Sequence, residues 1–143
     1  MKTSDDRAAP AGGVYVLLID LPEGRTIRVG ALGELTFDAG GYAYVGSAMN
    51  GIHQRIQRHL REEKRLHWHV DYLLEHGHID DAVTVRTSDS DLECEIARKL
   101  SKCLQATDGF GCSDCSCSSH LFYCPDIVQL RQHVNEAIAH ANT

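Results

Sequence analysis

No apolar run in this chain is long enough to span a bilayer or to act as an export signal, and its opening "MKTSDDRAAPAGG" is short and charged. Residues 1–12 are therefore expected to form a loose arm, and the protein to be cytoplasmic with no membrane partner. Net positive charge is lacking as well. Against 14 Lys and Arg stand 20 Asp and Glu, for a formal charge of -6, a balance that repels phosphate at long range and speaks against indiscriminate nucleic-acid binding. Internal repeats, low-complexity stretches and linkers are missing from the sequence, which leaves no place to divide it. At 143 residues, 43% hydrophobic and 24% charged, the chain suits a single domain with one core, expected over residues 13–143. Cytoplasmic thiols stay reduced, so the six cysteines point to metal binding or burial in preference to disulfides.

What is present reads first as strands. "GVYVLLID" (13–20) is β-branched and apolar, "LPEGR" is a turn, "TIRVG" starts another strand, and "YAYVGSA" makes a third. Residues 13–47 are thus expected to form an antiparallel meander of three strands. From residue 51 the period changes. Ile52, Ile56 and Leu60 recur every four residues and mark the apolar side of a helix, with Arg55, Arg58, Glu62 and Arg65 on an adjoining, mostly basic side. A helix is expected within 68–77 and a strand at "DAVTVRT". A further amphipathic helix over about 91–105 carries Leu92, Ile96, Leu100, Cys103 and Leu104, with Cys94 and Cys103 read as small core residues. After an irregular Cys-rich loop (109–124) comes a C-terminal helix over 126–140. This order predicts an α+β domain.

The chemistry concentrates around one strand and the helix behind it. Arg55, Arg58, Arg61, Lys64 and Arg65 crowd one short stretch with His53, His59, His67 and His69 close by, a local basic patch on an acidic protein. Cutting a phosphodiester needs a carboxylate-held divalent cation, a cationic donor for the phosphoryl oxygens and a group that orients or deprotonates water. Arg55 is the cationic candidate, Glu93 or Glu95 the carboxylate, and Tyr15 and Tyr44 lie on strands that can aim them at one point. Each has an ordinary alternative. Arginine on a helix is usually a solvated charge, Glu95 and Lys99 have the i,i+4 spacing of a surface pair, and tyrosines in strands are more often core aromatics. His59 and His69 are read as lining the active face, and Trp68 as core.

"Gly13-Val14-Tyr15", then "Tyr44-Val45-Gly46-Ser47-Ala48" and an arginine-bearing helix, resembles the GIY-YIG nuclease superfamily. The runs "KRLHWHVDYLL", "ECEIARKL" and "FGCSDCSCSSHLF" are similar to its small stand-alone Uri-type branch, and the blocks together cover roughly residues 11–124. The resemblance implies a small, mainly antiparallel sheet flanked by helices, and a DNA endonuclease dependent on Mg2+ or Mn2+, with a role in DNA repair or processing; RNA stays open as a substrate. Carried over by residue, it implies that Tyr15 relays or accepts the proton of a metal-associated water with Tyr44 beside it. Arg55 matches the helix arginine, and Glu93, three residues before Ile96, matches the metal carboxylate, with Glu95 as fallback. Arg58, His59, Arg65 and His69 are the expected substrate contacts. Most such enzymes carry an extra DNA-binding domain, and only about 20 residues follow the matching blocks here. Recognition is then expected from the domain itself, a homodimer or a protein partner.

The cysteine loop stands apart. Cys112, Cys115, Cys117 and His120 form C-x2-C-x-C-x2-H, ligand types that zinc prefers. Zn2+ is the metal expected there, with Cys124 able to replace one member. Two other readings stand beside it: a turn with buried thiols, and a Cys115/Cys117 redox pair. The resemblance, in which the first position is often serine, leaves Cys115, Cys117 and His120 as the centre of the motif.

Overall fold

A computed structural model of the chain describes residues 12–61, 66, 68–89, 91–111 and 119–141. The segment 13–21 is apolar at nearly every position, as suits a strand covered on both faces. It forms β1 (Gly13–Leu21), buried at every position but Asp20. On one side β1 pairs antiparallel with β4 (Gly40–Ala48), and on the other with β5 (His78–Arg86). β7 (Leu121–Cys124) then adds to β4, and the short β6 (Gln105–Ala106) to β7. The result is a five-stranded antiparallel sheet in the order β5-β1-β4-β7-β6. Among the described residues the α-helices are α1 (Ile52–Leu60), α2 (His69–Leu74), α3 (Leu92–Ser101) and α4 (Ile127–Ala141). The molecule is an α+β fold, as expected.

Alternation along the strands divides the core into two layers. Tyr15, Leu17 and Ile19 of β1 and Tyr42 and Tyr44 of β4 face α1 and α2, where they meet Ile52, Val70, Leu73 and Phe110. Val14, Val16 and Leu18, with Ala43 and Val45, face the other way onto Ile96 and Leu100 of α3 and Leu130 and Val134 of α4. The sheet is therefore a central layer between two helical ones.

Several expectations are corrected. The three-stranded meander does not form. β2 (Arg25–Arg28) and β3 (Glu34–Phe37) make a separate two-stranded sheet. With Arg25, Thr26 and Arg28 exposed and only Ile27 buried, β2 has neither the length nor the apolar faces to lie between β1 and β4. The Cys-rich loop is shorter than 109–124, because Leu121–Cys124 is a strand of the main sheet, with Leu121 and Phe122 fully buried. α3 stops at Ser101, so Cys103 follows in a turn and is exposed rather than core; Cys94 is half-buried, and Cys124 is buried. The expected N-terminal arm lies outside the described residues apart from Gly12. Among the described residues no helix is long and apolar enough to cross a membrane.

Candidate active site

The register of β1 on β4 sets the tyrosines. Tyr15 lies opposite Gly46, and Leu17 opposite Tyr44. Tyr15 and Tyr44 are thus diagonal neighbours on one face, with ring centroids 6.5 Å apart. A Cβ on Gly46 would fall 2.6 Å from the Tyr15 ring and hydroxyl, so glycine at this position is what lets the Tyr15 ring pack closely against β4.

Behind Tyr15 stands His59. The inward side of α1 is made by Ile52, Ile56 and His59, at i, i+4 and i+7, and not by Leu60, which is 52% exposed. His59 is 2% exposed, and its Nε2 lies 2.8 Å from the Tyr15 hydroxyl. The expectation that His59 contacts substrate is corrected: the imidazole is interior, where a phenol supplies the polar partner that burial demands. Burial pushes the Tyr15 phenol up to about 12, against the opposing pull of the Arg55 charge. Tyr44 is raised further by burial, with the neighbouring Tyr15 and Glu93 adding to the effect. Both are neutral phenols in the protein as it stands.

Arg55 is drawn to the end of β4. Its Nη1 donates to the Ser47 carbonyl at 3.0 Å, and its guanidinium lies 4.6 Å from the centre of the Trp68 ring. Arg58 sits 4.2 Å from the same ring, but its charge is engaged. Its two terminal nitrogens donate to the two carboxylate oxygens of fully buried Asp71 at 3.1 and 3.2 Å, and Asp71 also accepts the Trp68 backbone N–H at 2.9 Å. Arg58, expected to bind substrate, is thus tied into a pair that joins α1 to the first turn of α2. Trp68, expected in the core, is only partly buried and serves as the plane on which both arginines rest. Arg55 and Arg58 line a shallow cleft with Ala48, Met49, Asn50, Gly51 and Gln54.

Glu93 approaches from the other layer. In the first turn of α3, where the helix dipole favours a carboxylate, it accepts the Ser47 hydroxyl at 2.7 Å on Oε1. Its Oε2 lies 3.0 Å from His120 Nδ1, which is also 3.1 Å from the Val45 carbonyl. Both partners are acceptors, so Nδ1 carries the hydrogen. Burial works against the ionised carboxylate, but the hydrogen bonds from His120 and Ser47, aided by the His120 and Arg55 charges, hold the Glu93 pKa below its ordinary value. Glu95 points elsewhere, since residues two apart on a helix diverge. It lines a cleft with Arg98, Lys99, Lys102 and His140.

His69, on α2, accepts the Gly111 N–H on Nδ1 at 2.8 Å, and burial lowers its pKa. Gly111 adopts φ +75 there, a conformation that favours glycine. His120, counted with the cysteines from sequence, is 1% exposed and belongs through Nδ1 to the Glu93 cluster. Arg65, Cys112, Cys115 and Cys117 lie outside the described residues. Among the described residues no group of three or more His, Cys, Asp or Glu is placed to hold a metal ion. Sequence reasoning did not assign Ser47, Asp71 or the Tyr15–His59 contact. Asp71 had a signal, three residues after Trp68 at a helix start, the position of a carboxylate that caps the first turn.

The family model for the Domain of unknown function DUF123 matches residues 14–143. The chain belongs to that family. No curated protein and no solved structure matches it. The DUF123 match begins one residue before Tyr15 and takes in β1 from Val14 onward and the whole of β4, α1 and α3, so Tyr15, Tyr44, Arg55 and Glu93 all fall within the family's span.

Proposed function

We propose that this DUF123 protein is a cytoplasmic, divalent-metal-dependent endonuclease of the GIY-YIG type that hydrolyses DNA phosphodiester bonds. The observation that carries the reading is the meeting at Ser47: its carbonyl receives Arg55 at 3.0 Å and its hydroxyl donates to Glu93 at 2.7 Å. A cation for the phosphoryl oxygens and an ionised carboxylate are thereby held on either side of one residue, next to the Tyr15 strand. That donor set fits Mg2+ or Mn2+, hard ions that need one or two carboxylates and take their other ligands from water and phosphate. Glu93, kept ionised by its hydrogen bonds, is the residue that would hold the ion. When bound, the metal supplies Lewis-acid stabilisation of the phosphoryl charge and a more acidic water.

The chain's own groups do the rest. Arg55 stabilises the charge gathering on the non-bridging oxygens. The proton leaving the attacking water passes to the Tyr15 oxygen while the phenol gives its own to His59 Nε2; Tyr15 is 1% exposed in the free protein, so this step requires bound substrate to open its hydroxyl to that water. Phenolate is not required, which suits a phenol held near 12. Tyr44 packs beside Tyr15 and keeps water from the inner side of the ring. With a formal charge of -6, part of the substrate affinity is proposed to come from a partner or a second copy.

The test is cleavage of labelled single-stranded, duplex, flapped and branched DNA, and of matched RNA, with Mg2+ or Mn2+. Wild type is compared with Arg55→Ala and Glu93→Gln. Cutting lost in both variants while DNA binding persists supports the proposal; binding without cutting by any form on any substrate would make the protein a non-cleaving nucleic-acid module.

A further inference from the structure

Both oxygens of Glu93 are already positioned by the protein. Ser47 Oγ donates to Oε1 at 2.7 Å and His120 Nδ1 lies 3.0 Å from Oε2. The two donors come from different parts of the sheet: Ser47 from the end of β4, and His120 from the residue before β7, where its backbone carbonyl also accepts the Val45 N–H at 2.9 Å. Side-chain and backbone contacts of His120 thus grip the same residue of β4 that is two places from Ser47. A glutamate on a helix has three rotatable side-chain bonds and sweeps a wide arc unless restrained. Here the restraint is two-sided, short and largely shielded, with His120 1% and Glu93 22% exposed.

Resting on the nuclease reading, we infer that Ser47 and His120 are positioning residues that fix the Glu93 carboxylate for its divalent ion. Each donor engages one oxygen of the carboxylate, the arrangement in which outer groups orient a metal ligand without touching the metal. Ser47 has a second part in this, because its carbonyl holds Arg55. One residue therefore sets the spacing between the cation that meets phosphate and the carboxylate that meets metal. The Ser47 hydroxyl donates to an ionised group that is 22% exposed and not to an apolar core neighbour.

The experiment is direct Mn2+ binding, followed by electron paramagnetic resonance on DNA-free protein, with metal-dependent cleavage measured in parallel. Wild type is compared with Glu93→Gln, Ser47→Ala, Ser47→Thr, His120→Ala and His120→Asn. Outer partners of metal ligands typically contribute about 10–100-fold in affinity. Ser47→Ala is expected to weaken Mn2+ by about tenfold at an unchanged melting temperature, with Ser47→Thr restoring it; His120→Asn, which keeps a donor near the Nδ1 position, is expected to outperform His120→Ala. His120→Ala removes a buried ring, so if it fails to fold the serine pair decides. Wild-type Mn2+ affinity in Ser47→Ala, or no rescue by threonine, overturns the positioning role while leaving the nuclease reading intact. Equal Mn2+ binding by wild type and Glu93→Gln, or none by wild type, overturns both.

Discussion

The Tyr15 hydroxyl and His59 Nε2 lie 2.8 Å apart in the interior, on a strand and a helix separated by 44 positions in sequence. A phenol raised to about 12 is a poor base by itself, and on the proposed nuclease reading the imidazole behind it would take the proton. Tyr15→Phe is expected to lower the single-turnover cleavage rate by about 10²–10⁴-fold, the range for losing a positioned acid–base group, with DNA binding retained. The pH–rate profile tests the relay. Transfer to His59 predicts a plateau well below the pKa of the phenol, whereas a rate climbing tenfold per pH unit through about pH 9 would mean that phenolate itself is the base.

Arg55 and Arg58 share one tryptophan but differ in their partners. Arg58 neutralises Asp71, a fully buried carboxylate, so Arg58→Ala leaves that charge in the core. Removing one partner of a buried pair costs about 3–5 kcal/mol; the Arg58 side chain is 23% exposed, which places the expected loss nearer 2–3 kcal/mol. Among the described residues Arg55 donates to the Ser47 carbonyl and hydrogen-bonds the Tyr15 phenol, and neither partner is a buried carboxylate. Arg55→Ala is therefore expected to leave the melting temperature nearly unchanged and to lower cleavage by about 10²–10³-fold. Thermal melts and cleavage rates on the two variants check that difference, and similar melting losses in both would sink it.

Much of this was legible in the sequence. The apolar density of 13–21 marked a central strand, the parity of Tyr15 and Tyr44 their common face, and the period after residue 51 a helix. What escaped depended on contacts distant in sequence. His59 reads as polar, and only a phenol from β1 makes its burial tolerable, so Leu60 looked like the better inward residue. β7 escaped because four residues beside a run of cysteine and serine carry too little periodicity to stand out from a loop. Ser47 sits in the motif itself, yet nothing local indicates that its hydroxyl meets a glutamate 46 positions on.

Acid should find Glu93. Its folded pKa is depressed below the ordinary value of 4.5, with burial opposing and the hydrogen bonds from His120 and Ser47 prevailing. A group lowered on folding adds stability that is present above its unfolded pKa and is lost as the pH falls through the folded one. In metal-free protein kept in a chelator, wild-type stability is expected to decline below about pH 4.5 more steeply than that of Glu93→Gln, which carries no titrating carboxyl there. Urea unfolding midpoints at intervals between about pH 6 and pH 3 supply the comparison. Parallel declines would show that Glu93 does not contribute to acid sensitivity.

Gly46 offers a test of how closely the site is packed. It has no need of glycine's conformational range, since no positive φ is found there; the requirement is space. A methyl group at this position would sit 2.6 Å from the Tyr15 ring and hydroxyl, and neither can retreat far, because the ring is fully packed and its oxygen is held by His59. Overpacking of this kind typically costs about 1–3 kcal/mol. Gly46→Ala is expected to fold with that loss and to cut poorly, because the ring yields by moving its hydroxyl off His59. Paired with Tyr15→Phe, the cause can be separated. If Gly46→Ala acts by displacing the Tyr15 hydroxyl, the double variant should cut no more slowly than Tyr15→Phe alone, whereas an additive loss would place the effect of Gly46 elsewhere in the site.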